Sequence, residues 1–117
     1  MIYREVIRLE NIVLTESFFY ILLSLFKPNH GYGIIQDIVK MTNGRVNMGP
    51  GTLYGAINSL LDRGWIKLYF EEFDSRKKKE YLITESGIKA LSNEVERLNE
   101  LIVNYRLVLE VDTDESI

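Results

Sequence analysis

The sequence predicts a mainly α (α+β) fold, a winged helix-turn-helix with a two-stranded wing and a long C-terminal dimerisation helix. Three observations predict it. Three short segments with helical apolar spacing lie between about Thr15 and Gly64. Two aromatic and β-branched segments follow, joined by a basic polar turn. The last third of the chain carries an apolar stripe in strict steps of three and four.

Residues 1–14 mix apolar and charged positions without a clean period and read as a short helix or an arm. Thr15 is a suitable helix cap and Glu16 suits the positive end of the helix dipole. The stretch from Ser17 to Phe26 is apolar nearly all round, which predicts a helix buried on most sides. Lys27-Pro28-Asn29-His30-Gly31 breaks it. A second helix is predicted from about Tyr32 to Thr42, with Ile34, Ile35, Ile38 and Val39 on one face and Asn43-Gly44 as its stop. Arg45 to Met48 reads as a short link or a single strand. Gly49-Pro50 opens the third helix, since proline at the first helical position has a preset φ and loses no needed hydrogen bond. Its apolar face is Leu53, Ala56, Ile57, Leu60 and Leu61, and Gly64 ends it.

Trp65–Phe73 and Glu80–Thr84 have strand composition, and the turn between them holds Arg76-Lys77-Lys78-Lys79. Thr84-Glu85 caps the last helix. Ile88, Leu91, Val95, Leu98, Ile102, Tyr105 and Leu109 keep 3,4 spacing throughout, a heptad seam of period 3.5 rather than 3.6. The expected organisation is a winged-helix domain over 1–84, a dimerisation helix over 85–110 and a frayed acidic tail over 111–117.

Composition bounds the function. With 46% hydrophobic and 26% charged residues, the chain has the balance of a globular protein. It has no cysteine, which excludes disulfides and thiolate metal sites. No apolar run approaches the ~20 residues of a bilayer span, and no secretory leader is read at the start, so no membrane partner and a cytoplasmic location are expected. The net charge of −3 is unevenly distributed. Residues 1–86 hold 11 Lys/Arg against 10 Asp/Glu, whereas residues 87–117 hold 3 against 7. A DNA reader needs a local basic face rather than a basic total.

On the third helix, Gly51, Gly55, Asn58, Ser59 and Asp62 lie opposite the apolar face, with Tyr54 on the flank. Small residues there would let the backbone approach a DNA surface, and Thr52, Tyr54, Asn58 and Ser59 could bond to phosphates and base edges. Spacing alone fits equally the polar face of an ordinary surface helix. Arg76, Lys77 and Lys78 form either a wing that grips phosphate or a solvated turn, and a neighbouring reading helix favours the wing. The heptad seam favours a partner helix over folding back, and a second copy is the expected partner. His30 reads as a turn residue rather than a metal ligand, Asp37 and Asp62 form no acid–base pair, and no phosphate-cradling glycine loop follows a strand. Neither enzyme activity, metal nor cofactor is therefore expected.

Several runs together resemble the PadR regulators over about Leu14 to Arg106. They are Leu14-Thr15-Glu16, His30-Gly31-Tyr32-Gly33-Ile34, Gly44-Arg45-Val46, Gly49-Pro50-Gly51-Thr52-Leu53-Tyr54, Gly64-Trp65-Ile66 and Leu82-Ile83-Thr84-Glu85-Ser86-Gly87. The short C-terminal region is similar to the subfamily with one dimerisation helix. The resemblance implies a homodimeric repressor on an inverted-repeat operator in double-stranded DNA, with Arg45 also on the DNA-binding side. It implies a small aromatic ligand as a candidate partner, because some members respond to phenolic acids or flat aromatic drugs. In some drug-binding relatives, aromatic residues including tryptophan on the last helix sandwich the ligand; here that helix carries Tyr105, and the single Trp65 sits at the wing. The alternative is a winged-helix module used only for protein–protein contact, which the fold does not exclude.

Overall fold

The computed structural model describes residues 13–71 and 79–115, with side chains over 13–71 and 79–110. Within them the chain runs α1 (Glu16–Ser24), β1 (Asn29–His30), α2 (Gly31–Met41), α3 (Pro50–Asp62), β2 (Ile66–Glu71), β3 (Lys79–Ile83) and α4 (Glu85–Glu115).

Each helix starts where its capping chemistry lies. The Thr15 hydroxyl accepts from the Phe18 N–H at 3.1 Å, and the Thr84 hydroxyl accepts from the Gly87 N–H at 3.1 Å. His30 does the same for α2, its Nδ1 accepting from the Gly33 N–H at 3.3 Å. The histidine expected in a turn is thus a strand residue and a helix cap. Proline opens α3. Gly64 closes it at a φ of 74°, a conformation that favours glycine, and the chain turns back so that the Trp65 N–H reaches the Leu60 carbonyl at 3.1 Å.

One core joins these elements. Ile21, Leu22 and Leu25 meet Ile34 and Ile38 of α2, Leu53, Ile57 and Leu60 of α3, and Ile66, Tyr81 and Ile83 of the sheet. Leu91 brings the first turns of α4 into the same cluster. At the other end of that contact, Glu94 is buried and accepts from Arg97 Nε at 2.8 Å and Nη2 at 2.7 Å. Those bonds hold its carboxyl below the usual range against the opposing effect of burial, with smaller help from the Arg97 charge and the Leu14 backbone amide.

The structure refines several of these expectations. The first helix ends at Ser24, because the Leu25 carbonyl leaves the helix to accept from the Ile83 N–H at 2.9 Å. The apolar stretch is also less enclosed than its composition suggested, since Leu23 on the helix and Phe26 past its end are exposed. Of the two readings for Arg45–Met48 the short link is the one found, and Val46 donates its N–H to the Thr42 hydroxyl at 3.1 Å. The two-stranded wing of β2 and β3 gains a short third strand, in the order β1-β3-β2, because Asn29 and His30 pair with Tyr81 and Glu80. The last helix extends through Glu115, into the stretch expected to be a tail. The N-terminal segment read as a helix or an arm lies outside the described residues up to position 12, as does most of the wing turn, residues 72–78.

Candidate nucleic-acid interface

α3 is held from behind. Leu53, Ala56, Ile57 and Leu60 are buried against the core, which fixes the opposite face outward. Thr52, Tyr54, Gly55 and Asn58 are exposed on that side, and Ser59 is half-buried at its edge. A methyl group built on Gly51 or Gly55 would meet no atom within 4 Å. Packing inside the protomer therefore does not call for glycine at either position, while each glycine costs the helix roughly 1 kcal/mol relative to alanine. The missing side chains leave a smooth strip of helix backbone between Thr52, Tyr54 and Asn58.

The flanks differ from the simple expectation. Arg45 is exposed but already engaged, donating from Nη1 and Nη2 to the Glu16 carboxylate at 2.9 and 3.1 Å. It would have to exchange that carboxylate for a phosphate. Tyr54 is 47% exposed, and its ring end lies against Gly31 at the start of α2. Tyr32, beside it in sequence, is one of the most exposed aromatic residues; the run His30-Gly31-Tyr32-Gly33 contained it, but helical spacing alone gave no reason to single it out. Arg76, Lys77 and Lys78 lie outside the described residues. The strands that carry them pair from Ile66↔Ile83 to Glu71↔Lys79, with an irregularity between Leu68 and Phe70. At their outer end Lys79 and Glu71 approach to 3.8 Å.

The predicted seam on α4 divides in two. Leu91 is 5% exposed and belongs to the protomer's own core. Ile88, Val95, Leu98, Ile102, Tyr105 and Leu109 are exposed, as are Leu101 and Val108 beside them. At ~1.5 Å per residue, the 31-residue helix is about 46 Å long, and none of the side chains from Leu98 to Glu110 is buried. The radius of gyration of 18.0 Å exceeds the ~13 Å of a compact chain of this length, as a projecting helix requires.

Among the described residues, no group of His, Cys, Asp or Glu could hold a metal ion, and no helix is long and apolar enough to cross a membrane.

A helical core presenting one polar helix face beside a small antiparallel sheet defines the winged helix-turn-helix class. Residues 21–93 match the model of the transcriptional regulator PadR-like family. The chain belongs to that family, whose members are DNA-binding transcriptional regulators. A transcriptional regulator from Clostridium thermocellum is 27% identical, with a TM-score of 0.63 over 86% of this chain and 96% of that one. A PadR family regulator from Eggerthella lenta superposes at 0.70 with 19% identity over 93% and 92%. Another, from Clostridium difficile, superposes at 0.62 with 23% identity over 80% and 99%. A search of curated protein sequences finds no match.

Proposed function

We propose that the protein is a homodimeric transcriptional repressor in the cytoplasm, reading an inverted-repeat operator with the outward face of α3. The observation that carries this reading is the strip of α3 where Gly51 and Gly55 have no packing role and Thr52, Asn58 and Ser59 stand beside the bared backbone. Such a strip suits close approach to a groove, with hydroxyl and amide groups free to bond to base edges. Tyr54 borders the same strip. Arg45 and the wing-turn residues Arg76, Lys77 and Lys78 serve in this reading as phosphate contacts, which position the protein without reading sequence.

Two copies meet through α4 in this reading. Beyond Leu91 the side chains of Val95, Leu98, Ile102 and Tyr105 stay exposed in the protomer over several turns, and in this reading a two-fold partner buries them. Tyr105 is the aromatic ring on α4 against which a small aromatic ligand would stack to relieve repression.

The test is a footprint on the DNA upstream of the protein's own gene, followed by titration of the protected duplex. The expected site is an inverted repeat with half-sites about 34 Å apart, one helical turn. Asn58→Ala should lose affinity for it selectively, by about 1–3 kcal/mol, while keeping its affinity for random duplex. Salt-insensitive binding, or none, would favour a protein-contact module instead.

A further inference from the structure

We infer that Tyr54 serves DNA binding as a positioning residue, its ring filling the space that Gly31 leaves open and so locking α3 to the start of α2. This rests on the reading of α3 as the DNA-reading helix.

The end of the Tyr54 ring occupies the place where a side chain on residue 31 would begin. A Cβ built on Gly31 would collide with the Tyr54 hydroxyl and lie 2.9 Å from Cζ and 3.4 Å from Cε1. Gly31 is buried, and it is not among the glycines with positive φ, so a side chain there would disturb the Tyr54 ring and not the backbone conformation. Tyr81, the buried residue of β3, has its phenol pushed up by burial first and then by the nearby Tyr54 and Glu71. Tyr81 in turn pairs with Asn29 of β1 and Leu68 of β2. One ring thereby joins the reading helix to the start of α2. Its hydroxyl lies back against α2 instead of pointing along the strip of Thr52 and Asn58. Tyr54 accordingly acts through the angle at which α3 is held.

The two residues should behave as one unit. Alanine is the better helix former, so Gly31→Ala harms only a protein in which the Tyr54 ring must move aside. The experiment is a double-mutant cycle on the full chain, read by titration against the protected operator duplex and by thermal unfolding of the free protein. Tyr54→Phe, which keeps the ring, is expected to bind like the parent. Tyr54→Ala and Gly31→Ala are each expected to weaken operator binding by about tenfold or more, with the salt dependence unchanged. The double variant is expected to be no weaker than Tyr54→Ala alone, the non-additivity of residues in contact. In the free protein, Gly31→Ala should lower the melting temperature of the parent and leave it equal or higher in the Tyr54→Ala background. Loss in Tyr54→Phe equal to that in Tyr54→Ala would overturn the proposal, because the hydroxyl would then be the contact. Additive losses would overturn it as well. Asn58→Ala separates the two levels: if it binds the operator like the parent, the reading of α3 fails, while the melting cycle still decides whether Gly31 and Tyr54 are coupled.

Discussion

A single absent methyl group governs how α4 leaves the wing. Gly87 is buried, and a Cβ there would collide with the Trp65 carbonyl oxygen and lie 2.7 Å from Ile83 Cγ1. The obstacle is backbone, already tied down by the Thr84 N–H donating to that same carbonyl at 3.0 Å. Gly87→Ala should therefore cost about 1–3 kcal/mol of overpacking, despite alanine's better helix propensity. Denaturant unfolding would measure it, and a stabilised variant would show that the helix shifts freely. Seven residues later, Glu94 ties the same helix down by charge. Its carboxyl is held low by the hydrogen bonds from Arg97, so its contribution to stability is present above the unfolded value and lost as pH falls through the lower folded value. The unfolded reference is about 4.3. Unfolding curves taken between pH 7 and pH 3 should lose stability at the acid end more steeply in the parent than in Glu94→Gln, which has no proton to gain there. Parallel curves would show that the pair contributes nothing through ionisation.

Among the elements, α4 combines two roles on one helix. Its first turns, through Leu91, complete the protomer's core, and the remaining turns expose Val95, Leu98, Ile102 and Tyr105. Ile102→Asp should therefore spare the protomer fold and abolish self-association, since it would bury an unpaired charge in the seam at a cost of several kcal/mol. Sedimentation at micromolar concentration should report a monomer with parental helix content; an unchanged dimer would move the interface elsewhere. The 3,4 spacing made this helix legible from sequence, but not which of its residues the protomer keeps for itself. That division depends on where α4 packs against α1 and Glu94 meets the Leu14 backbone, contacts between parts of the chain far apart in sequence. The same limit explains the other departures. β1 is only two residues long, follows a proline, and exists because Tyr81 and Glu80 offer a free strand edge. α1 stops early because Leu25 finds the Ile83 N–H. Caps and stops were readable at Thr15, Pro50, Gly64 and Thr84 because their chemistry is local. On the candidate interface, the outward set of Thr52, Asn58 and the two glycines followed from helical spacing. The pairing of Tyr54 with Gly31 did not, since it joins two helices through space.

For the whole molecule, the question is how an acidic protein approaches a polyanion. Its excess of Asp/Glu lies beyond residue 86, on α4 and the chain end, while the balance before it is close to neutral. α4 projects beyond the protomer's core, so most of the acidic portion stands on a different element from α3. At about 0.15 M salt, charges more than about 8 Å apart are largely screened. The local cations can then dominate at the DNA, and they are concentrated at Arg76-Lys77-Lys78-Lys79. Lysine behaves as a mobile point charge, suited to phosphate rather than to a base edge. Each phosphate it neutralises contributes about −0.9 to the slope of log affinity against log salt. Replacing Lys77 and Lys78 together by alanine should flatten that slope and weaken operator and random duplex by similar factors. Asn58→Ala should leave the slope unchanged and weaken the operator alone, because a lost base contact releases no counterions. Titrating both variants against operator and scrambled duplexes at several salt concentrations separates the two contributions. An unaltered slope in the double-lysine variant would remove the wing turn from the DNA surface and leave the outward face of α3 to carry binding by itself.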